Sequence, residues 1–520
     1  MLDAVLANLR EYWMVHTLLG LYTLMLAHHA WTGNKSTKGL ADYYVGGRKM
    51  GGWVIGLSFF ATYASTNSFV GFSGQTYDWG VPWMLFIPTA VGLCLFAWIV
   101  VAPRLRSFTA AMDSLTIPDF IGFRFGSTPA RVFAALIVIV ASFFYMTAVF
   151  KGIGNLLEVF LEIPYRLSIV IVFFIVMTYT MVGGFISVVK TDSVQGVVMM
   201  ISAVLLFTGT VSAAGGVGAV SEIRAQPGGE DLFRLGGGVA VPVLIGTMFA
   251  GLVKFAVEPR QLSRFFALEG KKAIRTGMIV STLTFAGVFS LLIPIGLYAR
   301  AIFPGGLADT DLVIPNLLGS VFGPGTAAFL LVAMVAAAMS SLDSVLLVLA
   351  STMERDVVSV IRPGRTEASE MKWTRGWVAL FAFITMLISL NPPGGIVALT
   401  AFSGALFGAC FFPAIVLGLH WRRGGGASVV GSFVTGIVVL LLWRFVPGSE
   451  VVHEVFPAMA LSTLAYAGLS VVTADGATQE VRKLMDDAVE EMRGGPVGKV
   501  ETAEGTTREA KEALDPAPLG

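Results

Sequence analysis

The sequence contains few charged residues and very few cysteines. Asp, Glu, Lys and Arg make up 13% of the 520 residues, whereas hydrophobic residues make up 55%. Soluble globular chains carry about 25% charged residues, so this composition predicts a polytopic membrane protein surrounded by a lipid bilayer. The formal net charge of +1 gives no reason to expect a nucleic-acid partner. Cys94 and Cys410 fall in separate apolar runs, which argues against a disulfide or a metal-binding cysteine cluster.

Apolar runs long enough to cross a bilayer recur along the chain. At about 20 residues per crossing, we predict about 13 membrane segments. They lie at residues 12–31, 50–76, 81–103, 130–161, 165–184, 186–212, 239–257, 274–302, 324–352, 373–391, 395–420, 425–447 and 453–473. The first run is too long for the apolar part of a signal peptide and has no cleavage site at its end, so we expect it to be a membrane helix.

The loops between these segments differ in their content of Lys and Arg. If the N-terminus is outside, the inner loops hold most of the basic residues, including Arg260, Arg264 and three more at residues 271–275. The outer side then holds Arg10, Arg166, Arg224, Arg234, Arg300 and Arg444. By the positive-inside rule, we predict a plasma-membrane or inner-membrane protein with an outer N-terminus and a cytoplasmic C-terminus.

The chain changes character near Thr473. Residues 1–473 form the predicted transmembrane domain, whereas residues 474–520 are rich in charge and are predicted to form a cytoplasmic tail. Gln479 to Arg493 has the pattern of an amphipathic helix. The rest of the tail is predicted to be largely disordered, and we expect no second folded domain.

Small polar residues are concentrated in the second predicted segment, where residues 60–74 read FATYASTNSFVGFSG. One explanation is close packing of helices through small residues, namely Ala61, Ser65, Gly71 and Gly74. The other is a helix interrupted near the middle of the membrane, whose free carbonyls and hydroxyls coordinate a cation. Both explanations remain open from this stretch alone.

A second polar group lies in the ninth segment, which contains MVAAAMSSLDSVLLVLAS. Ser340 and Ser341 are adjacent, and Asp343 and Ser344 follow within one helical turn. Hydroxyls and backbone carbonyls are oxygen ligands suited to a hard cation such as Na⁺. A serine in a membrane helix can instead bond only to the carbonyl of the preceding turn. An aspartate at this depth must pair, become protonated or help to hold a cation.

Two further ionisable residues lie within or beside apolar runs. Asp192, in GGFISVVKTDSVQG, fits either a helix-capping pattern or a cation-binding step at the inner mouth. Lys254, in AGLVKFAVEPRQLSRF, could reach the membrane interface or pair with Glu258 one turn later. It could also offer its positive charge to an anionic solute.

Four motifs, in this order, resemble the sodium/solute symporter family, which includes sodium–glucose, proline, pantothenate and sialic acid symporters. They are DYYVGGRKMGGW, GG-x5-KTD-x2-Q, EP-x4-R and AAAMSSLDS, within roughly residues 40–445. The resemblance implies an all-α LeuT-type fold of two inverted five-helix repeats with one extra N-terminal helix. The extra helix would be residues 12–31, the repeats residues 50–212 and 239–420, and the C-terminal helices residues 425–473. The first helix of each repeat, which here contains FATYASTNSFVGFSG or Lys254, would be broken.

The resemblance also implies a sodium site between the second and ninth segments. Its ligands would be the carbonyls of Ala61, Ala64 and Ala337 and the hydroxyls of Ser340 and Ser341. Asp192 matches an acidic residue near the inner sodium exit, and Asp343 and Ser344 match positions where some members bind a second sodium ion. The implied solute-binding residues are Thr62, Ser65, Asn67, Ser68, Lys254 and Phe255.

A lysine beside a helix break departs from the sugar-transporting members and favours a carboxylate. The stretch ATY-x-S-x2-SF-x-G is closest in wording to the pantothenate symporters. We therefore predict a secondary active transporter, not an enzyme, that couples sodium entry to uptake of a small organic acid. We expect no organic cofactor, and a monomer is compatible with this activity. Alternatives are proton coupling, symport of a sugar or of a zwitterion such as proline, and a transporter-like sensor.

Overall fold

The structure is a computed structural model that describes residues 10–449, 451–473, 476 and 478–493. Over these residues the chain is helical and contains no β-strand. The pairing of extended backbone is limited there to an isolated bridge between Met50 and Leu268. The predicted all-α class is confirmed.

The helices follow one another with short connections. In chain order the α-helices are α1 (Trp13–Ser36), α2 (Leu40–Val45), α3 (Gly52–Tyr63), α4 (Phe72–Trp79), α5 (Phe86–Phe96), α6 (Ala102–Ala111), α7 (Ile117–Phe125), α8 (Thr128–Leu161), α9 (Tyr165–Ala213), α10 (Ala219–Ala225), α11 (Val241–Leu252), α12 (Lys254–Val257), α13 (Pro259–Ala267), α14 (Lys271–Leu292), α15 (Ile295–Ile302), α16 (Val313–Val321), α17 (Pro324–Thr352), α18 (Ser359–Ile361), α19 (Glu367–Ser389), α20 (Ile396–Phe411), α21 (Gly418–His420), α22 (Gly426–Leu442), α23 (Val455–Val472) and α24 (Gln479–Arg493). Turns of π-helix span Asn67–Gly71, Ala97–Val101, Met353–Val358 and Phe412–Leu417, and 3-10 turns span Gly46–Arg48, Val81–Leu85, Gly229–Phe233, Thr310–Leu312 and Trp443–Phe445.

Ten helical stretches in the described residues are long and apolar enough to cross a membrane. The sequence predicts about 13, and three features account for the difference. α1 is not among the ten, the second predicted segment is divided into shorter helices, and α9 spans two predicted segments. The multi-pass membrane class is confirmed, and the exact number of crossings remains a prediction.

The long helix α9 breaks at Gly184. This residue has φ +63° and ψ −174°, a conformation that glycine adopts far more readily than other residues. A Cβ atom there would lie 2.7 Å from Cδ2 of Tyr43, so the close contact also requires glycine. The break coincides with the boundary predicted between residues 165–184 and 186–212.

The helix α17 lies at the centre of the bundle. Most of its residues are buried, including Ser340, Ser341, Asp343 and Ser344. It packs against α1, α3, α8, α9 and α19. The polar groups of the ninth predicted segment therefore face other helices, as expected for polar side chains in a membrane domain.

The second predicted segment is interrupted, as the polar stretch suggested. α3 ends at Tyr63, and Ala64 is extended with φ −68° and ψ 109°. Helical structure resumes at the π turn Asn67–Gly71. The Ser65 hydroxyl accepts a hydrogen bond from the Asn67 backbone N–H at 3.2 Å, which satisfies one of the free donors at the restart.

The segment that contains Lys254 is interrupted as well. α11 ends at Leu252, α12 makes one turn, and Glu258 is extended with φ −78° and ψ 124°. Pro259 then opens α13, because its fixed φ suits a first helical turn while its ring disfavours helical geometry in the residue before it. Both predicted broken helices are therefore present.

The predicted inner loop after this segment is wrong in one respect. Arg260 and Arg264 lie in α13 and are only 2% and 1% exposed. Sequence pattern alone assigns both arginines to a basic inner loop together with residues 271–275. Each arginine has a buried carboxylate partner, Glu258 or Asp192, which allows it to remain inside the bundle.

Close packing accounts for Gly71 and Gly74. A Cβ atom on Gly71 would lie 2.5 Å from the Asn67 side-chain oxygen, and one on Gly74 would lie 2.5 Å from the carbonyl oxygen of Thr310. Both distances are too short for an ordinary contact. Close packing thus explains the glycines at the end of FATYASTNSFVGFSG, whereas the helix interruption explains the polar residues at its centre.

We expect Gly74→Ala to lower the free energy of unfolding by about 1–3 kcal/mol, because the added methyl group must displace the Thr310 backbone. Thermal unfolding of the purified protein in detergent measures the effect. Gly92→Ala is the matched control, since no described residue outside its own stretch of helix comes within 4 Å of the methyl group that it adds. Equal stability of the two variants would contradict the packing explanation.

The predicted amphipathic helix in the tail is present as α24. It packs against α6, with Met485 buried, and Asp486 forms an ion pair with Arg422. Residues 494–520, which are predicted to be disordered, lie outside the described residues.

Candidate functional site

The two broken helices meet at their interruptions. The Arg260 guanidinium, just after the second break, donates from Nη1 to the carbonyl oxygen of Thr62 at 2.7 Å. The Tyr63 hydroxyl donates to the carbonyl oxygen of Gly251 at 3.0 Å. Its ring centroid lies 4.3 Å from that of Phe255. The last turn of α3 is therefore held directly against α11, α12 and the start of α13.

Most of the predicted sodium ligands converge between α3 and α17. The Ser340 Oγ atom lies 2.9 Å from the carbonyl oxygen of Ala61 and 2.8 Å from that of Ala337. The Ser341 Oγ atom lies 3.1 Å from the carbonyl oxygen of Thr62. All these residues are fully buried. Neutral oxygen atoms at a helix interruption are suited to binding Na⁺.

Ala64 occupies the end of the same stretch. It is the first extended residue after α3, so its carbonyl group leaves the direction of the helical hydrogen bonds. This position is compatible with its predicted role beside Ala61.

Asp192 lies inside α9 and does not cap a helix. The helix has already resumed after Gly184, so the capping interpretation of D-x-x-Q is wrong. The Asp192 Oδ2 atom accepts hydrogen bonds from Ser58 Oγ at 2.7 Å and from Thr62 Oγ1 at 3.1 Å. Arg264 donates to the same oxygen from Nη2 at 2.8 Å. Asp192 is thus the buried partner of an arginine that the sequence placed in a loop.

The position of Thr62 differs from the predicted solute-binding role. Its hydroxyl group donates to Asp192, and its carbonyl oxygen accepts from Arg260 and Ser341. Both polar groups of the residue are therefore turned towards the ion side of the break, because α9 and α13 supply stronger partners there.

Asp343 and Ser344 lie beside the same arginine. Arg264 Nη2 donates to Ser344 Oγ at 2.6 Å, and Ser344 Oγ donates to the carbonyl oxygen of Ser340 at 2.8 Å. The Oδ1 atom of Asp343 lies 3.2 Å from Ser344 Oγ. A guanidinium group therefore contacts two of the three residues predicted for a second sodium ion or an exit path. The EP-x4-R motif is the sequence signal that could have identified Arg264.

A cavity of about 20 Å³ adjoins this ion pair, next to residues 115–117 of a predicted cytoplasmic loop. Its lining includes Arg264, Ser344, Thr116 and Thr352. Since Arg264 bonds Asp192, and Ser344 bonds the Ser340 carbonyl, the pair lies between the cavity and the oxygen cluster around Ser340.

We expect Asp192→Asn to lower the free energy of unfolding by about 3–5 kcal/mol, because it leaves the buried Arg264 without a charged partner. Adding Arg264→Gln to this variant should recover part of the loss, since neither charge is then buried alone. Thermal unfolding in detergent provides the measurement. Asp113→Asn is the control, because the Asp113 side chain is 54% exposed and should contribute little. A double variant less stable than Asp192→Asn would exclude this explanation.

Lys254 is buried next to the second break. It is 1% exposed, and its Nζ atom donates to the carbonyl oxygen of Thr400 at 3.4 Å. The same atom lies 4.8 Å from the ring centroid of Tyr145 and 5.9 Å from that of Tyr63. Within the described residues it forms no ion pair, because Glu258 is bound to Arg260 at 2.9 Å. Both the interfacial position and the predicted pairing with Glu258 are therefore wrong.

Several buried polar groups on or packed against α20, whose Thr400 carbonyl accepts from Lys254, lack a hydrogen-bond partner among the described residues. They include Asn67 Oδ1 and Ser68 Oγ of the first broken helix, and Thr400 Oγ1 and Ser403 Oγ of α20. The π turn Asn67–Gly71 and α12 both pack against α20. Buried polar groups are normally satisfied, so this concentration is typical of a binding site. Thr400 and Ser403 are not among the predicted solute-binding residues, although LTAFSG is polar for an apolar run.

Ser65 and Phe255 are used differently from Asn67 and Ser68. The Ser65 hydroxyl accepts from the Asn67 backbone, as described above. The Phe255 ring is fully buried in an aromatic cluster, with its centroid 4.3 Å from that of Tyr63 and 4.8 Å from that of Phe285. Both side chains therefore contact other protein groups at the site, and their contact with a solute stays a prediction.

An ion pair lies at the opposite end of the bundle from the cavity. Lys151 Nζ lies 2.8 Å from Asp311 Oδ2, and this oxygen also accepts from the Ile396 backbone N–H at 3.2 Å. The contacts join α8, the turn before α16 and the start of α20. Thr310, next to Asp311, packs on Gly74 of α4. The turn Thr310–Leu312 thus packs over α4, the second half of the first broken helix, at the end of the bundle that holds the Lys151–Asp311 pair.

The comparisons with known proteins agree with this architecture. A model of the Sodium:solute symporter family matches residues 43–438. The osmoregulated proline transporter OpuE of Bacillus subtilis is 32% identical over 471 residues, which cover 88% of this chain and 94% of that protein. The sodium/pantothenate symporter of Haemophilus influenzae is 28% identical over 439 residues, 83% of this chain and 90% of that protein.

Among solved structures, a Na⁺-coupled sialic acid symporter in an outward-open state has the same fold. Its TM-score is 0.77 at 20% identity, over 89% of this chain and 98% of that chain. At this identity the likeness concerns the fold, and it confirms the LeuT-type class. The relatives are transporters, in agreement with the prediction that the chain is not an enzyme. The chain belongs to the sodium:solute symporter family.

Proposed function

We propose that the protein takes up a small organic solute bearing a carboxylate, together with sodium, by alternating access around its two broken helices. Membership of the sodium:solute symporter family supports sodium-coupled symport of a small solute. The observation that carries the choice of solute is Lys254, a buried lysine without an ion pair among the described residues. A buried ammonium group is costly in isolation, and an anionic ligand offsets that cost.

The proposed sodium site is the oxygen cluster formed by α3 and α17. The carbonyls of Ala61, Ala64 and Ala337 and the hydroxyls of Ser340 and Ser341 would bind the ion. The distances of 2.8–2.9 Å from Ser340 Oγ to two of these carbonyl oxygens support this assignment, since little movement would bring them around one cation. Because sodium and solute bind to the same interrupted stretch, each would increase the affinity for the other by the same factor.

The proposed solute site lies between Asn67 and Ser68 on one side and Lys254 on the other, with Thr400 and Ser403 completing it. The relatives are described as transporters of proline or of pantothenate. Both compounds carry a carboxylate, so one lysine could recognise either. Lys254 therefore favours an acid or a zwitterion over a sugar, and the remaining polar groups would distinguish between acids.

We further propose that the two ion pairs at opposite ends of the bundle separate in turn. Lys151–Asp311 would close the side predicted to be outer, and Asp192–Arg264 the side predicted to be cytoplasmic. This assignment retains the predicted orientation, with the N-terminus outside, and the predicted repeats at residues 50–212 and 239–420. Both ion pairs lie within one chain, so the proposed mechanism is compatible with a monomer.

The test is a thermal-shift screen of the purified protein in matched NaCl and choline chloride. The solutes are proline, pantothenate, short mono- and dicarboxylates and glucose. We expect at least one carboxylate to raise the melting temperature more in NaCl than in choline chloride. An equal shift in both salts would support proton coupling instead, and a shift with glucose alone would overturn the carboxylate assignment.

A transporter-like sensor is the alternative from a different functional class. Removal of the tail from Gln479 onwards, which includes α24, should leave uptake intact if transport is the function. Loss of a cellular response with uptake unchanged would instead favour the sensor.

A further inference from the structure

Glu258 and Arg260 form a buried ion pair across the second helix break. Arg260 donates from Nε to Glu258 Oε1 at 2.9 Å and from Nη2 to Oε2 at 3.1 Å. Both residues are 2% exposed. Glu258 is extended, and Pro259 between the two residues restricts the backbone. A two-point contact of this kind fixes the orientation of the guanidinium plane.

The remaining Nη1 group of Arg260 reaches the other broken helix. It donates to the Thr62 carbonyl oxygen at 2.7 Å. Thr62 lies between Ala61 and Ala64, whose carbonyls belong to the proposed sodium site. Ser341 Oγ contacts the same Thr62 carbonyl at 3.1 Å. Arg260 therefore holds the stretch of backbone that must adjust when sodium binds.

On its other side, the pair adjoins the proposed solute site. The Arg260 guanidinium carbon lies 3.9 Å from the Tyr145 ring centroid, and Lys254 Nζ lies 4.8 Å from the same centroid. The Glu258 backbone N–H donates to the Lys254 carbonyl oxygen at 3.0 Å. Two contacts thus connect the ion pair with Lys254, one through the Tyr145 ring and one along the backbone.

We propose that the Glu258–Arg260 pair couples the sodium site to the solute site. This inference rests on the proposed function, because it concerns the connection between those two sites. Arg260 is a positioning residue that binds neither sodium nor solute. Sodium draws the Ala61 and Ala64 carbonyls together, and the Thr62 carbonyl moves with them. Arg260 and Glu258 carry this movement to the turn that holds Lys254.

The alternative is that the pair only stabilises the fold. Removing it would then lower the melting temperature while leaving the effect of sodium on the solute site unchanged. Melting temperature therefore does not separate the two roles, and the test must measure a response at the solute site to sodium itself.

The experiment uses a cysteine at position 403 as a reporter, in the full chain with Cys94→Ala and Cys410→Ala. The readout is the rate of labelling of Ser403→Cys by a small thiol reagent in NaCl and in choline chloride. With Glu258 and Arg260 intact, we expect the two rates to differ at least about fivefold, at the lower end of typical coupling between sites. With Arg260→Gln, we expect the ratio to fall below about twofold.

The double variant Glu258→Gln with Arg260→Gln guards against a failure to fold, because it leaves neither charge unpaired. It should show the same loss of the sodium response. Sodium binding is checked in each variant by the NaCl-induced rise in melting temperature, which should persist. Arg365→Gln is the matched control, since it breaks another pair with a buried partner, Glu354, away from the site.

The outcomes separate the two proposals. If the reporter protein with Glu258 and Arg260 intact does not respond to sodium, both the proposed sodium-coupled function and the coupling role are overturned. If it responds, and the Arg260→Gln protein or the double variant responds equally, the coupling role alone is wrong.

Discussion

Replacing Ser340 and Ser341 together by alanine should raise the sodium concentration for half-maximal uptake at least about 100-fold. Each hydroxyl group that contacts a charged ligand contributes roughly 1.5–3 kcal/mol, and the double variant removes two of them. The remaining carbonyls of Ala61, Ala64 and Ala337 would be too few to hold the ion. Uptake of the radiolabelled solute that the screen identifies, measured in vesicles against NaCl concentration, tests this expectation.

Ser351→Ala is the matched control for the double variant. Ser351 lies on the same helix, α17, and its hydroxyl group donates to the carbonyl oxygen of Val348 at 3.0 Å, away from the oxygen cluster. Its sodium dependence should equal that of the unmodified protein. Unchanged sodium affinity in Ser340→Ala with Ser341→Ala would remove both residues from the proposed site.

Lys254→Ala should weaken carboxylate binding at least about 30-fold while changing sodium affinity much less. Truncating one partner of a buried charge pair costs roughly 2–5 kcal/mol, which corresponds to this factor or more. Lys254 lies against Thr400 and Tyr145, whereas the sodium cluster lies against α17. Isothermal titration of the purified protein with proline and with pantothenate, at saturating NaCl, provides the measurement.

Lys190→Ala is the control for Lys254→Ala, because Lys190 is exposed on α9. It should leave both binding constants unchanged. If Lys254→Ala binds the acid as tightly as the unmodified protein, the lysine has a purely structural role through the Thr400 carbonyl. Lys254→Arg refines the result, since a retained charge of different shape should preserve part of the affinity.

The membrane class followed from local pattern. Apolar runs identify membrane helices because unsatisfied backbone groups are costly in lipid, and this constraint acts on each segment separately. The polar stretch after Phe60 was compatible with a break or with close packing, and the break in the segment that contains Lys254 was implied by the resemblance. Ser340 and Ser341 were identified by the resemblance together with their depth in an apolar run.

The predicted boundary between membrane segment and inner loop was wrong where arginines form ion pairs inside the bundle. Arg260 and Arg264 look like the start of a basic loop, because hydropathy treats every arginine as solvated. Their carboxylate partners are Glu258, two residues away, and Asp192, which is 72 positions away in the chain. The second partner was itself interpreted as a helix cap or a cation site. Hydropathy along the sequence cannot reveal an ion pair between residues on different helices.

The direction of individual side chains was also beyond local pattern. Thr62 lies in the polar stretch with Asn67 and Ser68, yet its hydroxyl group bonds Asp192. Glu258 has the right spacing to pair with Lys254 on one helix, yet the helix ends between them and the carboxylate pairs with Arg260. In both cases the side chain bonds to a residue on another helix instead of the partner that its position in the sequence suggests.

Hydropathy, small polar residues and proline determine which segments of this chain enter the membrane and where their helices are interrupted, because these effects act over a few residues. The pairing of Ser340 with Ala61, which are 279 positions apart, depends on how α3 packs against α17. The same holds for Arg260 with Thr62 and for Lys254 with Thr400. Only the packed bundle brings these groups within hydrogen-bonding distance. The partner in each contact lies on a different helical segment, and local sequence does not identify it.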